Sequence, residues 1–258
     1  SLGSSLISNQ SDFIYQSLDI TEEKNIFPIF VKYKPDFVIN TAAMTNVDGC
    51  EDDKELCEKI NVTAVNYLSR ACENFNSHLI HISTDFIFDG ENGPYRENDQ
   101  PNPLSYYGLS KWKSEQVLQQ SNCKWAILRT IILYGTAENL QRNNIVLWGR
   151  KALKEGSELN IIDDQFRSPT LAEDLAQACY LVIEKEAIGI YNASGKDIMS
   201  IYEMVERMAD FYQCDKSQIN RISSTTLNQK AKRPTKTGFI LDKSIKELGY
   251  KPHSFEEG

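Results

Sequence analysis

The feature that most constrains this chain is an alternation of two patterns. Short apolar runs that end in small or hydroxyl residues, "DFVINTAA" (36–43), "HLIHISTDFIF" (78–88) and "WAILRTIILYG" (125–135), are separated by longer stretches with apolar residues at helical spacing. Those stretches are "KELCEKINVTAVNYLSRACENF" (54–75) and "YYGLSKWKSEQVLQQ" (106–120). Continuous apolar strands separated by helices imply a parallel sheet covered on both faces. The fold class expected is therefore α/β, a doubly wound parallel sheet, and such sheets bind ligands beyond the carboxyl ends of their strands. The segments "NTAAMT", "STDFIFDG" and "RTIILYG" are the places to look for a site.

After Gly135 the pattern loosens. Helix "NNIVLWGRKALKEG", a short strand near "ELNIID", helix "LAEDLAQACYLVIEK", strand "GIYNAS" and helix "SIYEMVERMADFY" follow, then a loop rich in Ser and Thr. This order suggests a first unit over residues 1–134 and a smaller mixed α/β lobe over 135–258, with some elements of the second returning to the first. The N-terminus departs from the pattern. "SLGSSL" has the look of the end of a glycine-rich phosphate loop, but no strand precedes it and Gly3 is its one glycine. Too few residues lie between Gly3 and Asp19 for a helix, a second strand and their loops, so residues are expected to be missing there.

Composition excludes several classes. With 258 residues, 41% of them hydrophobic and 25% charged, the chain can bury a sizeable core. A net charge of -8 with scattered basic residues argues against nucleic acid or an anionic membrane surface as partner. No apolar run approaches a membrane span, and the N-terminus reads as lacking a signal peptide. The six cysteines form no C-x-x-C pair and several lie in apolar stretches, which points to reduced core thiols and a cytoplasmic setting. His78 and His81 fall on one strand with side chains directed to opposite faces, so no metal site is expected.

The stretch "NPLSYYGLSKWKSE" places Tyr107 four residues before Lys111 at the start of a helix. That spacing alone says little, because Tyr212 and Lys216 repeat it in "YQCDK". What distinguishes the first pair is Thr84, ending a buried strand upstream, so that three functional groups can meet at one sheet edge. A phenol is a poor acid or base near neutral pH unless a cation favours its ionised form, and Lys111 lies one helical turn away. A threonine hydroxyl could then bind the same carbonyl oxygen that the phenol protonates.

These segments, with "KPDFVINTAAMTNVD", "LRTIILYG", "DDQFRSPT" and "AKRP" in the same order, resemble the extended short-chain dehydrogenase/reductases, most closely the dTDP-4-dehydrorhamnose reductase family. That family also contains the non-catalytic regulatory beta subunit of methionine adenosyltransferase. The resemblance implies a Rossmann-like fold in which residues 1–134 bind the dinucleotide and 135–258 mainly the substrate, and an oxidoreductase using NADPH or NADH, with NADPH favoured, on a nucleotide-linked 4-keto-6-deoxy sugar. In that reading Tyr107 is the proton donor, Lys111 holds the nicotinamide ribose and lowers the phenol pKa, and Thr84 orients the substrate carbonyl. Ala42, Ala43 and Thr45 would line the cofactor, Asp19 and Ile20 flank its adenine, and Gly3 belongs to the pyrophosphate loop. Asp85 and Asn144 would contact the sugar, and Arg167 and Arg233 the diphosphate, where a planar fork suits phosphate oxygens. A homodimer is the assembly to test.

Departures from the family pattern cluster around the expected sugar pocket. Phe86 stands where tyrosine is frequent, Ile132 where tryptophan is common and Arg167 where glycine is usual. The exact sugar therefore stays open, and Phe86 cannot act as the acid or base that related dehydratases carry. Two alternatives remain: a regulatory subunit that keeps the fold and turns nothing over, and a nucleotide-sugar epimerase that retains its cofactor through turnover.

Overall fold

In a computed structural model, which describes residues 14–136 and 144–258, the apolar runs form strands that pair in parallel. In chain order, α1 (Glu23–Tyr33) is followed by β1 (Phe37–Asn40), the short helices α2 (Val47–Asp52) and α3 (Lys54–Glu58), and a π-helical turn, Lys59–Thr63, that runs into α4 (Ala64–Phe75). Next come β2 (His78–Thr84), a 3-10 turn at Asp85–Ile87, α5 (Tyr106–Gln119) and β3 (Lys124–Thr130). The later part contains β4 (Leu133–Tyr134), α6 (Ile145–Lys154), β5 (Leu159–Ile162), β6 (Phe166–Arg167) and β7 (Thr170–Leu171). It continues with α7 (Ala172–Glu184), β8 (Gly189–Asn192), β9 (Met199–Ser200), α8 (Ile201–Phe211) and β10 (Ile219–Ile222).

The main sheet has the order β1-β2-β3-β8, and every pairing in it is parallel. Alternation within each strand divides the core in two. Leu79 and Ile127 face Ile26 and Phe30 of α1, Val65 and Leu68 of α4 and Leu118 of α5. Ile80 and Leu128, one residue along, face Leu175, Ala178 and Val182 of α7. Each such side chain contributes about 1.5–3 kcal/mol by leaving water, so the double layer is the main source of stability. His78 and His81 follow the same alternation: His78 lies on the Ile80 side beside Phe37, and His81 on the Leu79 side.

β8 completes the main sheet from the far half of the chain. The remaining strands of that half form two-stranded pairs, β10 with β5, β4 with β7 and β6 with β9. α6 and α8 pack with β5 and β10 around a separate cluster that includes Leu153, Leu159, Val205, Met208 and Ile219. All six cysteines are free thiols, and five are buried as small core residues.

One buried ion pair fixes the helix that matters most. Arg129 of β3 donates from Nε and Nη2 to the two carboxylate oxygens of Glu115 of α5, at 3.0 and 2.7 Å. Ser83 of β2 donates to the same carboxylate, at 2.5 Å, so α5 is tied to both central strands. Neither partner is more than 2% exposed.

Candidate active site

The carboxyl ends of β1 and β2 lie side by side, with Asn40 opposite His81 and, one strand over, Thr84 opposite Thr130. Beyond β1 the chain runs through Ala42, Ala43 and Thr45, where Ala42 and Thr45 are exposed. Asn61, buried in the π-helical turn, holds this segment. Its Oδ1 accepts from the Met44 N–H at 2.8 Å, and its Nδ2 donates to the Met44 carbonyl at 3.1 Å and to the Ser110 hydroxyl at 2.9 Å. The loop after β1 is thereby fastened to α5.

α5 starts where it does because Ser105 accepts from the Gly108 N–H at 3.2 Å, an N-cap contact. Gly108 itself lies against the Phe86 carbonyl, where a Cβ would overlap the oxygen, so only glycine allows this approach. The two adjacent tyrosines then part. Tyr106 donates to Glu58 at 2.9 Å, and burial together with that carboxylate pushes its phenol up to about 12. Tyr107 turns to the strand ends, where its ring meets Phe86 edge to face at 5.7 Å and its phenol lies within reach of the Thr84 hydroxyl. Burial pushes the Tyr107 phenol well above its ordinary range, and the contact with Thr84 pulls the other way. At neutral pH it is a protonated acid, the state required to give a proton.

Lys111 is buried at 2% exposure on the same face of α5. Its Nζ donates to the Ile82 carbonyl at 2.7 Å and lies 3.0 Å from Nε2 of His81. Burial pushes the amine down to about 8. In this arrangement the Lys111 amine is bonded to β2, and the neighbour that favours the ionised form of the Tyr107 phenol is the Thr84 hydroxyl. The other pair, Tyr212 and Lys216, behaves as surface groups: Lys216 binds Asp210, and Tyr212 lies beneath Arg150 and Lys154.

Four residues expected at the substrate have partners within the protein. Asp85 is buried, its Oδ1 accepting from Thr84 at 3.1 Å and its Oδ2 from Thr237 at 2.5 Å, with the Arg167 guanidinium 3.7 Å away. Burial dominates and raises its pKa despite that arginine. Arg167, expected at a diphosphate, is only 2% exposed and donates to the Phe166 and Pro234 carbonyls at 2.7 and 2.6 Å. It also lies over the Phe86 ring at 5.8 Å, so it braces the pocket wall from behind rather than opening onto it. Arg233 forks onto Asp48 of α2, with Nη2 at 2.7 Å. Asn144 caps α6, accepting from Val146 and Leu147 and donating to the Gly135 carbonyl, which uses both ends of its amide.

Asp19, expected beside an adenine, accepts from the Thr21 N–H and hydroxyl at 2.9 and 2.8 Å, in the loop that leads into α1. Ile20 packs on the core beside it. Gly3 lies outside the described residues. Sequence reasoning missed Asn61, His81 and the Glu115–Arg129 pair. A polar residue at an apolar position of a helical stretch was the available signal for Asn61 and Glu115.

The described residues fit a dinucleotide at this edge. Small side chains follow β1, Asn61 ties that segment to α5, and α5 carries the buried Lys111 amine and the Tyr107 phenol beside Thr84. Among the described residues no group of His, Cys, Asp and Glu could hold a metal ion, and no helix is long and apolar enough to cross a membrane.

The chain is 32% identical over 254 residues to a dTDP-4-dehydrorhamnose reductase of Aggregatibacter actinomycetemcomitans, which covers 94% of this chain and 85% of that protein. It is also 29% identical to the methionine adenosyltransferase 2 subunit beta of Bos taurus over 82% of its own length, and there it spans 65% of the relative. Among solved structures, dTDP-4-dehydrorhamnose reductase from Bacillus anthracis in complex with NADP superposes with a TM-score of 0.86 at 28% identity, covering 93% of this chain and 84% of that one. The family model for the RmlD substrate binding domain matches residues 3–258. The chain belongs to the RmlD substrate binding domain family.

Proposed function

We propose that this chain is a reductase that passes a hydride from NADPH, or less readily NADH, to the keto carbon of a nucleotide-linked 4-keto-6-deoxy sugar, with Tyr107 giving the oxygen its proton. The observation that carries this reading is the meeting of Thr84, Tyr107 and Lys111 at the carboxyl edge of β2, with Tyr106 drawn away onto Glu58. The dinucleotide supplies the hydride when bound; alignment and charge are the protein's part. Thr84 and Tyr107 converge on one carbonyl oxygen, and the raised phenol pKa keeps the acid protonated until negative charge develops there. Lys111 supplies the positive charge for the ribose side, and Ala42, Ala43 and Thr45 line the dinucleotide. Asp19 and Ile20 flank its adenine, and Gly3 serves the pyrophosphate.

Arg233 is the one arginine of the expected pair that can still meet a diphosphate, by exchanging Asp48 for phosphate oxygens. Asp85 and Asn144 shape the sugar pocket through Thr84 and the start of α6. A homodimer in the cytoplasm is the expected state. The regulatory reading is favoured by one observation, the similarity to the bovine subunit, and the intact Thr84, Tyr107 and Lys111 set favours catalysis over it. The test is NADPH oxidation by the purified chain supplied with dTDP-4-keto-6-deoxy sugar, with Tyr107→Phe as control. Turnover that disappears in the variant supports the reductase. Dinucleotide binding without turnover, together with a stable co-purifying protein, supports the regulatory subunit.

A further inference from the structure

His81 has no part in the reaction as described, yet it is buried against the catalytic lysine. Its hydrogen bonds form a chain with an obligate donor at each end. The Ala42 N–H donates to Oδ1 of Asn40 at 3.1 Å, which leaves the Asn40 amide nitrogen facing Nδ1 of His81 at 3.2 Å. Nδ1 must then accept, so the ring proton sits on Nε2. Nε2 faces the Ser114 hydroxyl at 3.0 Å and Lys111 Nζ at 3.0 Å. Ser114 gives its own proton to the Lys111 carbonyl at 2.6 Å, so its oxygen is free to accept from Nε2. A charged Lys111 would add a second donor aimed at the same N–H. Reversing the ring tautomer moves the conflict to Asn40, and turning the Asn40 amide moves it to Ala42. Only loss of a proton from Lys111 relieves the whole chain.

We propose that His81 is a positioning residue that, in the dinucleotide-free protein, disfavours the charged form of Lys111 on β2, so that binding of the anionic dinucleotide draws a rising fraction of one proton from solvent onto Lys111 as pH increases. The inference rests on the reductase reading for the identity of the ligand. The other titratable groups facing Lys111 are Glu115 on α5 and Cys57 on α3. Glu115 is already held by Arg129 and Ser83, and among the described residues Lys111 of α5 is the ionisable group that acts on His81 of β2. The depressed pKa of the buried lysine agrees with the geometry. Because protonation accompanies binding, affinity falls as pH rises above the free lysine's pKa, by up to about tenfold per pH unit.

Two measurements decide it. Side-chain nitrogen spectra of the dinucleotide-free wild-type protein, which has three histidines to assign, should show His81 as the neutral Nε2–H tautomer. An imidazolium or an Nδ1–H tautomer overturns the proposal. Calorimetry of NADPH binding in buffers of different ionisation enthalpy, between about pH 7 and about 9, should show uptake rising toward about one proton. In His81→Gln, whose amide can turn its oxygen to Nζ, the uptake should drop to about zero. Binding with no proton exchange in the wild type overturns the proposal and leaves the reductase standing. Failure of NADPH to bind overturns the reductase reading, and the tautomer still decides the role of His81.

Discussion

Gly108→Ala is the smallest substitution that should separate catalysis from folding in this chain. A methyl group there would overlap the Phe86 carbonyl oxygen and lie 3.1 Å from Cβ of Pro103. Both neighbours are backbone or ring atoms, so neither can rotate away. Restoring a normal carbon–oxygen approach of about 3.3 Å requires the first turn of α5 to lift by roughly 1 Å. Tyr107 would move with that turn, away from Thr84. Lys111 and the rest of the helix would not follow, because Glu115 is held by Arg129 and Ser83. Overpacking of this kind costs about 1–3 kcal/mol, which a domain with two well-filled core layers tolerates. A displacement of this size at the proton donor costs roughly 10²-fold in rate. The assay is the initial rate of NADPH oxidation with the keto sugar, set beside the thermal midpoint and NADPH affinity. The expected result is a folded protein with kcat down roughly a hundredfold and affinity within about twofold. A variant with wild-type kcat would refute the claim that this close approach positions Tyr107.

Other expectations follow from the same structure. Arg129→Met strands the buried Glu115 carboxylate and should cost about 3–5 kcal/mol in urea unfolding, with Arg129→Met/Glu115→Leu recovering most of it; equal stability of the single and double variants contradicts the pairing. Asn61→Ala leaves the Met44 N–H without its acceptor and should cost about 1–3 kcal/mol while weakening NADPH binding, and a variant indistinguishable from wild type in both would show that the clamp is idle. His253 lies 2.7 Å from the buried Asp174, which raises the imidazole pKa. A raised folded pKa means that this contact stabilises fully below the unfolded value of about 6.5 and is lost as pH rises through the folded value. The wild type should therefore lose melting temperature over that window relative to His253→Asn, and parallel pH profiles would show that the pair contributes nothing.

Much of the architecture was legible because it rests on period. β2 and β3 read as strands from continuous apolar runs, and α5 from its spacing and the Ser105 start signal, since burial on both faces leaves few other solutions. The meeting of Thr84 with Tyr107 was legible for the same reason: strand ends and helix starts share one edge of a parallel sheet. What the sequence did not reveal is where polar side chains find their partners. Arg167 and Arg233 were read as diphosphate ligands from the resemblance and because arginine suits phosphate; in the structure Arg167 donates to the Phe166 and Pro234 carbonyls and Arg233 to Asp48. These partners are distant in sequence, and no local pattern encodes them. Lys111 was expected to favour the ionised phenol from one helical turn on; that its amine also bonds the Ile82 carbonyl of β2 is a contact no local pattern encodes. Ile132, at φ 22°, is a β-branched residue in the left-handed region, a backbone feature that residue type argues against.

The most direct test of the central claim follows the hydride itself. NADPH carrying deuterium at the transferred position of the nicotinamide is incubated with the purified chain and a dTDP-4-keto-6-deoxy sugar, and the product sugar is examined by mass spectrometry and NMR. The account predicts one deuterium on the former keto carbon in the wild type and none with Tyr107→Phe over the same time. Unlabelled product, or label transferred equally well by Tyr107→Phe, would contradict it.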